Sequence, residues 1–332
     1  MNARTVLLTA VAVAFVAAAP VSGYLKLGTL VGTAVRGLRW NGPVRYFVTD
    51  RDVPGVTAPD LQRAVARAFG TWGSPSGVTV QAEFVGFTPA EPFASEGMSV
   101  IGFRSRPDLE RTLGATTFTL DAVTGDVLES DIFLNAAFPW STAPAGEAQR
   151  FDVESIALHE IGHLLGLGHS ALGETELMPG GGRRVIAKGA VMFPIAFPPG
   201  NARDRVLDPD DVAGVSDIYG SASRDRTVGS ISGRVTLGGR GVFGAHLTAF
   251  NTTTGDLIAS FALDDEGHFV IAGLSAGIYI VRAEPLDDGD IDSFFDTQSQ
   301  VDVGFKPAYA SRLIGVSAGS GADAGEIKVP RK

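Results

Sequence analysis

Cysteine is absent from all 332 residues. That excludes disulfides, a thiolate nucleophile, cysteine-ligated zinc or iron–sulfur centres and a lipid attached through sulfur, so stability must come from packing, with bound ions as an optional addition. Histidine is scarce, at five, and cations are outnumbered: 27 Lys and Arg face 37 Asp and Glu, for a net charge of −10 and a pI near 5.0. Such an acid excess disfavours a polyanionic partner, and no nucleic-acid role is expected. Beyond residue 23 no apolar run approaches the ~20 residues that a membrane helix needs. With 45% apolar and 19% charged residues, the composition is that of a soluble globular chain long enough for two domains.

At the N-terminus, Arg4 precedes an apolar run over 6–19 and small residues at Val21, Ser22 and Gly23. This pattern reads as a secretory signal peptide, residues 1–23, cleaved after Gly23, and implies a secreted or extracytoplasmic protein. Residues 24–39 are then too few for a folded propeptide. They read as an N-terminal extension, with an inhibitory strand across a cleft as the alternative.

Three of the five histidines fall in one window, His159 to His169, which reads HEIGHLLGLGH. On a helix, residues four apart share a face, about 5–6 Å apart at Cβ, so His159 and His163 can point at one ion. Gly166 sits where the helix must stop, because a residue without Cβ turns left-handed at little cost and swings His169 back as a third ligand. Three neutral imidazoles suit Zn²⁺ and leave a fourth position for water, the catalytic rather than the structural arrangement. Glu160, beside the first ligand, is placed to take a proton from that water and pass it to a leaving amine. The chemistry that fits is amide hydrolysis with Glu160 as general base and acid.

With its third histidine, the motif resembles that of the metzincin clan of zinc endopeptidases, and Ser170 directly after it is similar to the matrixin, or matrix-metalloproteinase-like, branch. AVMFPIAFP resembles that family's methionine turn and would put Met192 beneath the zinc. Met192 is preferred over Met178, which runs into Pro179 and a glycine tract. LDPDDVAGVSDIYG resembles the family's last catalytic helix, and the helix ending at Trp72 its first. The likeness covers 40–220. Two departures stand out: residues 170–191 lie between the third histidine and Met192, and a propeptide cysteine switch is impossible. The resemblance also implies that Pro194, Ile195 and Ala196 wall a substrate side-chain pocket, against a reading as plain loop packing, and it admits structural Ca²⁺ near Asp121, Asp126 and Asp131.

The implied fold is an α+β zincin domain, a small mixed sheet with three main helices. Strands are expected at 44–48, 78–84, 99–103, 115–120 and 130–134, the last being the edge on which substrate adds as a strand. Thr57 and Asp60 form a capping box, Asp152 caps the motif helix, and Asp208 with Pro209 opens the last one. The insertion over 171–190 reads as a shaper of substrate access, an autolysis point or a surface loop without a role.

Residues 221–228 are polar, without periodicity, and read as a linker. Short β-rich runs follow at 230–237, 245–251, 257–263, 268–272 and 278–283. With their glycine spacing they resemble a carboxypeptidase regulatory-like domain, an immunoglobulin-like all-β sandwich over 229–332. His246 and His268 read as ordinary residues there, and Asp287, Asp288, Asp290 and Asp292 as a solvated acidic loop. The functional expectation is a monomeric, secreted zinc endopeptidase acting on proteins or peptides. Its competitor is a non-catalytic surface or adhesion protein in which the sandwich binds and the zinc domain is inactive.

Overall fold

The computed structural model describes residues 25–332 except 32–33, 94–96, 180–181 and 296–299. The expected signal peptide and the tip of the 171–190 insertion, Gly180 and Gly181, lie outside the described residues. Two large hydrophobic cores organise the chain, one below residue 220 and one above 228, with Ala213 of the first unit reaching into the second core.

The chain opens with a hairpin, β1 (Gly28–Val31) and β2 (Ala34–Gly37). It is not a plain extension. Leu27 N–H donates to the Gly166 carbonyl and Gly168 N–H to that of Leu25, so this segment pairs with the stretch between the second and third histidines. Leu25, Leu27 and Leu38 are buried.

A five-stranded sheet follows in the order β4 (Ala82–Thr88), β3 (Val44–Thr49), β5 (Ser99–Arg104), β7 (Val127–Asn135), β6 (Gly114–Leu120). Its neighbours are parallel except for β6, which runs antiparallel to β7. The edge strands are therefore β4 and β6, and the 130–134 strand expected from sequence as an edge is internal. β7 has its backbone engaged on both sides and is almost wholly buried, which no local pattern could distinguish from an edge.

Helix α1 (Ala58–Trp72) starts at the Thr57 box: the Thr57 hydroxyl accepts from Asp60 N–H, and the Asp60 carboxylate accepts from Thr57 N–H. Its apolar face, Leu61, Val65, Phe69 and Trp72, is buried. Trp72 Nε1 donates to the Leu158 carbonyl at 2.8 Å, tying α1 to helix α2 (Val153–Leu164), which carries the motif. Just before α2, the two-residue strands β8 (Trp140–Ser141) and β9 (Phe151–Asp152) pair in parallel. Asp152 then caps α2 through Ser155 N–H at 2.8 Å.

The 171–190 insertion is an antiparallel hairpin, β10 (Gly173–Leu177) with β11 (Arg183–Lys188), bulged at Glu174/Thr175. Helix α3 (Pro209–Tyr219) closes the first core after its Asp208 cap. In place of a free linker, α4 (Ala222–Asp225) docks back on the first unit: Arg224 Nη1 donates to Ser76 O and Ser221 N–H to Gly77 O.

The C-terminal unit holds two sheets. In one, β12 (Gly229–Leu237) pairs with β13 (Arg240–Gly241), with β16 (His268–Leu274) and, in parallel, with β20 (Gly321–Val329). In the other, β14 (His246–Asn251) lies between β15 (Leu257–Phe261) and β17 (Gly277–Glu284), and β17 also pairs with β18 (Ala308–Tyr309) and β19 (Ile314–Val316). Ile231, Val235 and Phe269 of the first sheet share a core with Leu247, Tyr279 and Val281 of the second. Two smaller clusters weld the units together. Leu25 and Ala171 pack with Phe261, Leu286, Phe294 and Phe295, and Leu172 and Ala190 pack with Ala259.

Candidate metal centre

The motif histidines come together. Ring centroids lie 4.8 Å (His159–His163), 5.3 Å (His159–His169) and 4.6 Å (His163–His169) apart. Gly166 makes this possible: its φ is +99°, and a Cβ there would collide with the Leu38 carbonyl. Candidate ligand atoms of the three side chains all fall within 4.8 Å of one another.

Each imidazole has its Nδ1 against a backbone carbonyl: Val191 O at 2.9 Å for His159, Leu167 O at 2.8 Å for His163 and Ser293 O at 2.5 Å for His169. A carbonyl only accepts, so each Nδ1 carries the proton and each Nε2 presents a lone pair. Two of those lone pairs, on His163 and His169, approach to 3.1 Å. Burial lowers all three pKa values, His159 well below the ordinary range, His163 to about 4 and His169 to about 3; for His159 and His169 neighbouring imidazoles add to the effect. Neutral rings with converging lone pairs repel one another unless a cation sits between them, and neutral imidazole is the ligand form. The donor set fits zinc.

Glu160 is 5% exposed. Burial pushes its carboxyl up to about 7, opposed by the Thr116 hydroxyl, which donates to Oε2 at 2.8 Å. Thr116 is on edge strand β6, and so is Gly114, where a Cβ would stand 2.9 Å from Glu160 Oε1.

Met192 is 3% exposed beneath α2, whereas Met178 is 42% exposed on the hairpin. Gly162 permits this fit, since a Cβ there would meet Met192 Sδ and lie 2.7 Å from Trp72 Cζ2. The turn is pinned from α3: Asp211 accepts from Val191 N–H at 2.8 Å and Met192 N–H at 3.1 Å. Next to it, Asp210 accepts from the Ser170 hydroxyl at 2.6 Å and from Ala259 N–H of β15 at 2.8 Å. Burial first, then neighbouring acids, push Asp210 up to about 8; burial likewise raises Asp211 to about 7.

Other expected residues fall differently. Pro194, Ile195 and Ala196 are half-buried and line neither of two cavities near the site. The larger, about 610 Å³, lies between the insertion hairpin and the C-terminal unit, with Phe193, His246 and Phe294 in its wall. Asp121, Asp126 and Asp131 form no shared metal-capable group among the described residues: Asp121 accepts from Val123 and Thr124 N–H, Asp126 from Asn41, and Asp131 from Phe93 and Val100 N–H. In the acidic loop, Asp287 pairs with Lys332, Asp288 accepts from Thr175 N–H, and Asp290 lies near Arg111 and Arg183. A second group, Asp264, Glu266 and His268, is spatially clustered but more exposed, and His268 Nδ1 is taken by Asp264 at 2.9 Å. Sequence reading missed Thr116, Gly162, Ser293 and Phe294. Of these, only Gly162 left a trace, as a glycine inside a helix.

Residues 39–180 match the family profile described as Matrixin. A matrixin domain occupies that stretch. Among curated proteins, Metalloendoproteinase 1-MMP of Arabidopsis thaliana is 31% identical over 192 residues, covering 55% of this chain and 44% of that protein. Metalloendoproteinase 4-MMP of the same plant is 28% identical over 181 residues (53% and 44%), and Metalloendoproteinase 1 of Glycine max is 29% identical over 175 (48% and 46%). The chain therefore spans under half the length of these relatives. Among solved structures, the Bacillus anthracis TIE protein aligns at 20% identity and a TM-score of 0.22 over 32% of this chain and 17% of its own, too partial to inform the fold. The matrixin match stops at residue 180, whereas Met192 and Val215 share the core of α1 and α2. No helix among the described residues is long and apolar enough to cross a membrane.

Proposed function

We propose that this chain is a secreted zinc-dependent endopeptidase in which His159, His163 and His169 hold the metal and Glu160 is the general base and acid. The observation that carries the reading is the set of three imidazoles, each with Nδ1 tied to a carbonyl and Nε2 turned inward. A zinc ion there supplies Lewis acidity, polarising the scissile carbonyl and lowering the pKa of water toward about 7. The protein's own groups do the rest. Burial keeps the Glu160 carboxyl near neutrality, so it can accept a proton and later deliver it to the departing amine. Thr116 fixes the carboxylate, and Gly114 leaves it room. The edge of β6, which pairs only with β7 among the described residues, offers backbone donors and acceptors to an extended peptide. Met192 supports the metal from below, and Pro194, Ile195 and Ala196 contribute to the pocket wall. The metalloprotease domain runs over 40–220, beyond the matched stretch, and residues 229–332 form a regulatory-like sandwich, a reading supported by two sheets around one core.

Glu160→Gln is the direct test. Peptide hydrolysis should fall by about 10²–10⁴-fold with zinc content unchanged. Equal hydrolysis by the variant would remove Glu160 from that role, and no hydrolysis by a zinc-loaded wild-type chain would favour a non-catalytic surface protein instead.

A further inference from the structure

His169 is the one member of the triad oriented from outside its own unit. Its Nδ1 donates to the carbonyl of Ser293, and the Phe294 ring stands edge-on to it, with centroids 6.2 Å apart at 74°. Ser293 ends a single 3-10 turn, Ile291–Ser293, in the connection between β17 and β18. That connection is clamped on both sides of the carbonyl. Upstream, Thr175 of the insertion hairpin donates its N–H to Asp288 Oδ1 at 2.9 Å and its hydroxyl to Asp288 O at 2.8 Å. Downstream, Phe294 and Phe295 are fully buried against Leu25 and Ala171 of the first unit. The Ser293 carbonyl is thus held in place by a buried aromatic pair and a hydrogen-bonded loop, both belonging to the interface between units.

A carbonyl that receives the distal N–H of a ligating imidazole fixes its tautomer and ring orientation, and losing such a partner typically costs 10–100-fold in metal affinity. We propose that the C-terminal unit is a working part of the metal centre: through the Ser293 carbonyl and the Phe294 ring it orients His169 and sets how tightly the triad holds its metal. Ser293 and Phe294 are positioning residues, since neither reaches the reacting atoms. The insertion hairpin takes part as well, because Thr175 anchors the loop that presents Ser293. The inference rests on the triad being a zinc site.

The test is Zn²⁺ affinity of the full-length chain, measured by chelator competition, together with the visible absorption of the Co²⁺-loaded protein as a report of ligand geometry. Phe294→Ala removes the packing beneath the carbonyl, and Asp288→Ala removes the loop's side-chain anchor to Thr175 N–H, leaving only the bond from the Thr175 hydroxyl to the Asp288 carbonyl, without opening the core. Phe269→Ala, in the core of the C-terminal unit, makes a comparable cavity away from the triad. Phe294→Ala should weaken Zn²⁺ binding by about 10–100-fold and alter the Co²⁺ spectrum, and Asp288→Ala should weaken it in the same direction, while Phe269→Ala stays within about twofold of wild type. If Phe294→Ala fails to fold, Asp288→Ala decides. Affinity and spectrum unchanged in Asp288→Ala, or an equal loss in Phe269→Ala, would overturn the proposal. A wild-type chain that binds no Zn²⁺ would instead bring down the metal assignment beneath it.

Discussion

His159 and His163 are steadied by carbonyls of their own unit, Val191 and Leu167, whereas His169 is steadied by Ser293, 124 residues further along. The first two grips belong to a compact assembly of α1, α2 and the Met192 turn, in which Trp72, Gly162 and Asp211 leave little freedom. The third depends on an interface built from aromatic packing and a loop. One motif therefore carries three histidines whose orientations are secured by different parts of the chain. A donor set and the means of aiming it are separate properties. Half-buried Asp264 with exposed Glu266 and His268 makes the same point: the three are close together, yet the imidazole is spent on a neighbouring carboxylate rather than aimed at a common centre.

The sharpest way to break the local grip is Gly162→Ala. Its methyl group has to displace Met192 or Trp72 inside a packed core, and such overpacking costs about 1–3 kcal/mol, occasionally more. Denaturant unfolding should record that loss. Zn²⁺ affinity should fall with it, since Val191, which steadies His159, adjoins Met192.

The interface grip is probed more gently through Asp210, which joins Ser170, next to His169, to β15. Its folded pKa, about 8, lies above the unfolded carboxyl value, so its contribution to stability is fully present below about pH 4 and is lost as pH rises through about 8. Asp210→Asn removes that titration, and one of its two hydrogen bonds at a cost of about 1–2 kcal/mol. The variant should therefore be less stable than wild type at pH 5, with the deficit shrinking toward pH 8 by at most about 1.4 kcal/mol per pH unit, one proton's worth. A deficit that grows with pH would mean that Asp210 works as an ion.

The local half of this arrangement was legible in the sequence. The spacing of His159, His163 and His169, the left-handed turn at Gly166 and the Asp152 cap follow from residue types at short range: the three rings converge, Gly166 has a φ of +99° and Asp152 caps α2, while Met192 is buried and Met178 exposed. Strand order was not legible, because 115–120 and 130–134 carry similar patterns and only tertiary pairing puts β6 rather than β7 at an edge. The docking of Leu25 and Leu27 on 166–168 and the pairing of β10 with β11 are backbone matters, specified by which carbonyls meet which N–H groups. Strand β20 begins with small and polar residues and draws its place from parallel pairing with β12. Ser293 was invisible for the simplest reason: its carbonyl, not its side chain, meets His169, and every residue has one.

Everything proposed for the site depends on the three inward-facing Nε2 atoms sharing one zinc ion. The measurement that bears on this most directly is elemental analysis of the folded full-length chain beside His163→Ala. One zinc per wild-type chain, removed by chelation and restored on return of the metal, with none held by the variant, is the expected result; a folded wild-type chain without stoichiometric zinc, or a His163→Ala variant that keeps it, would contradict the assignment.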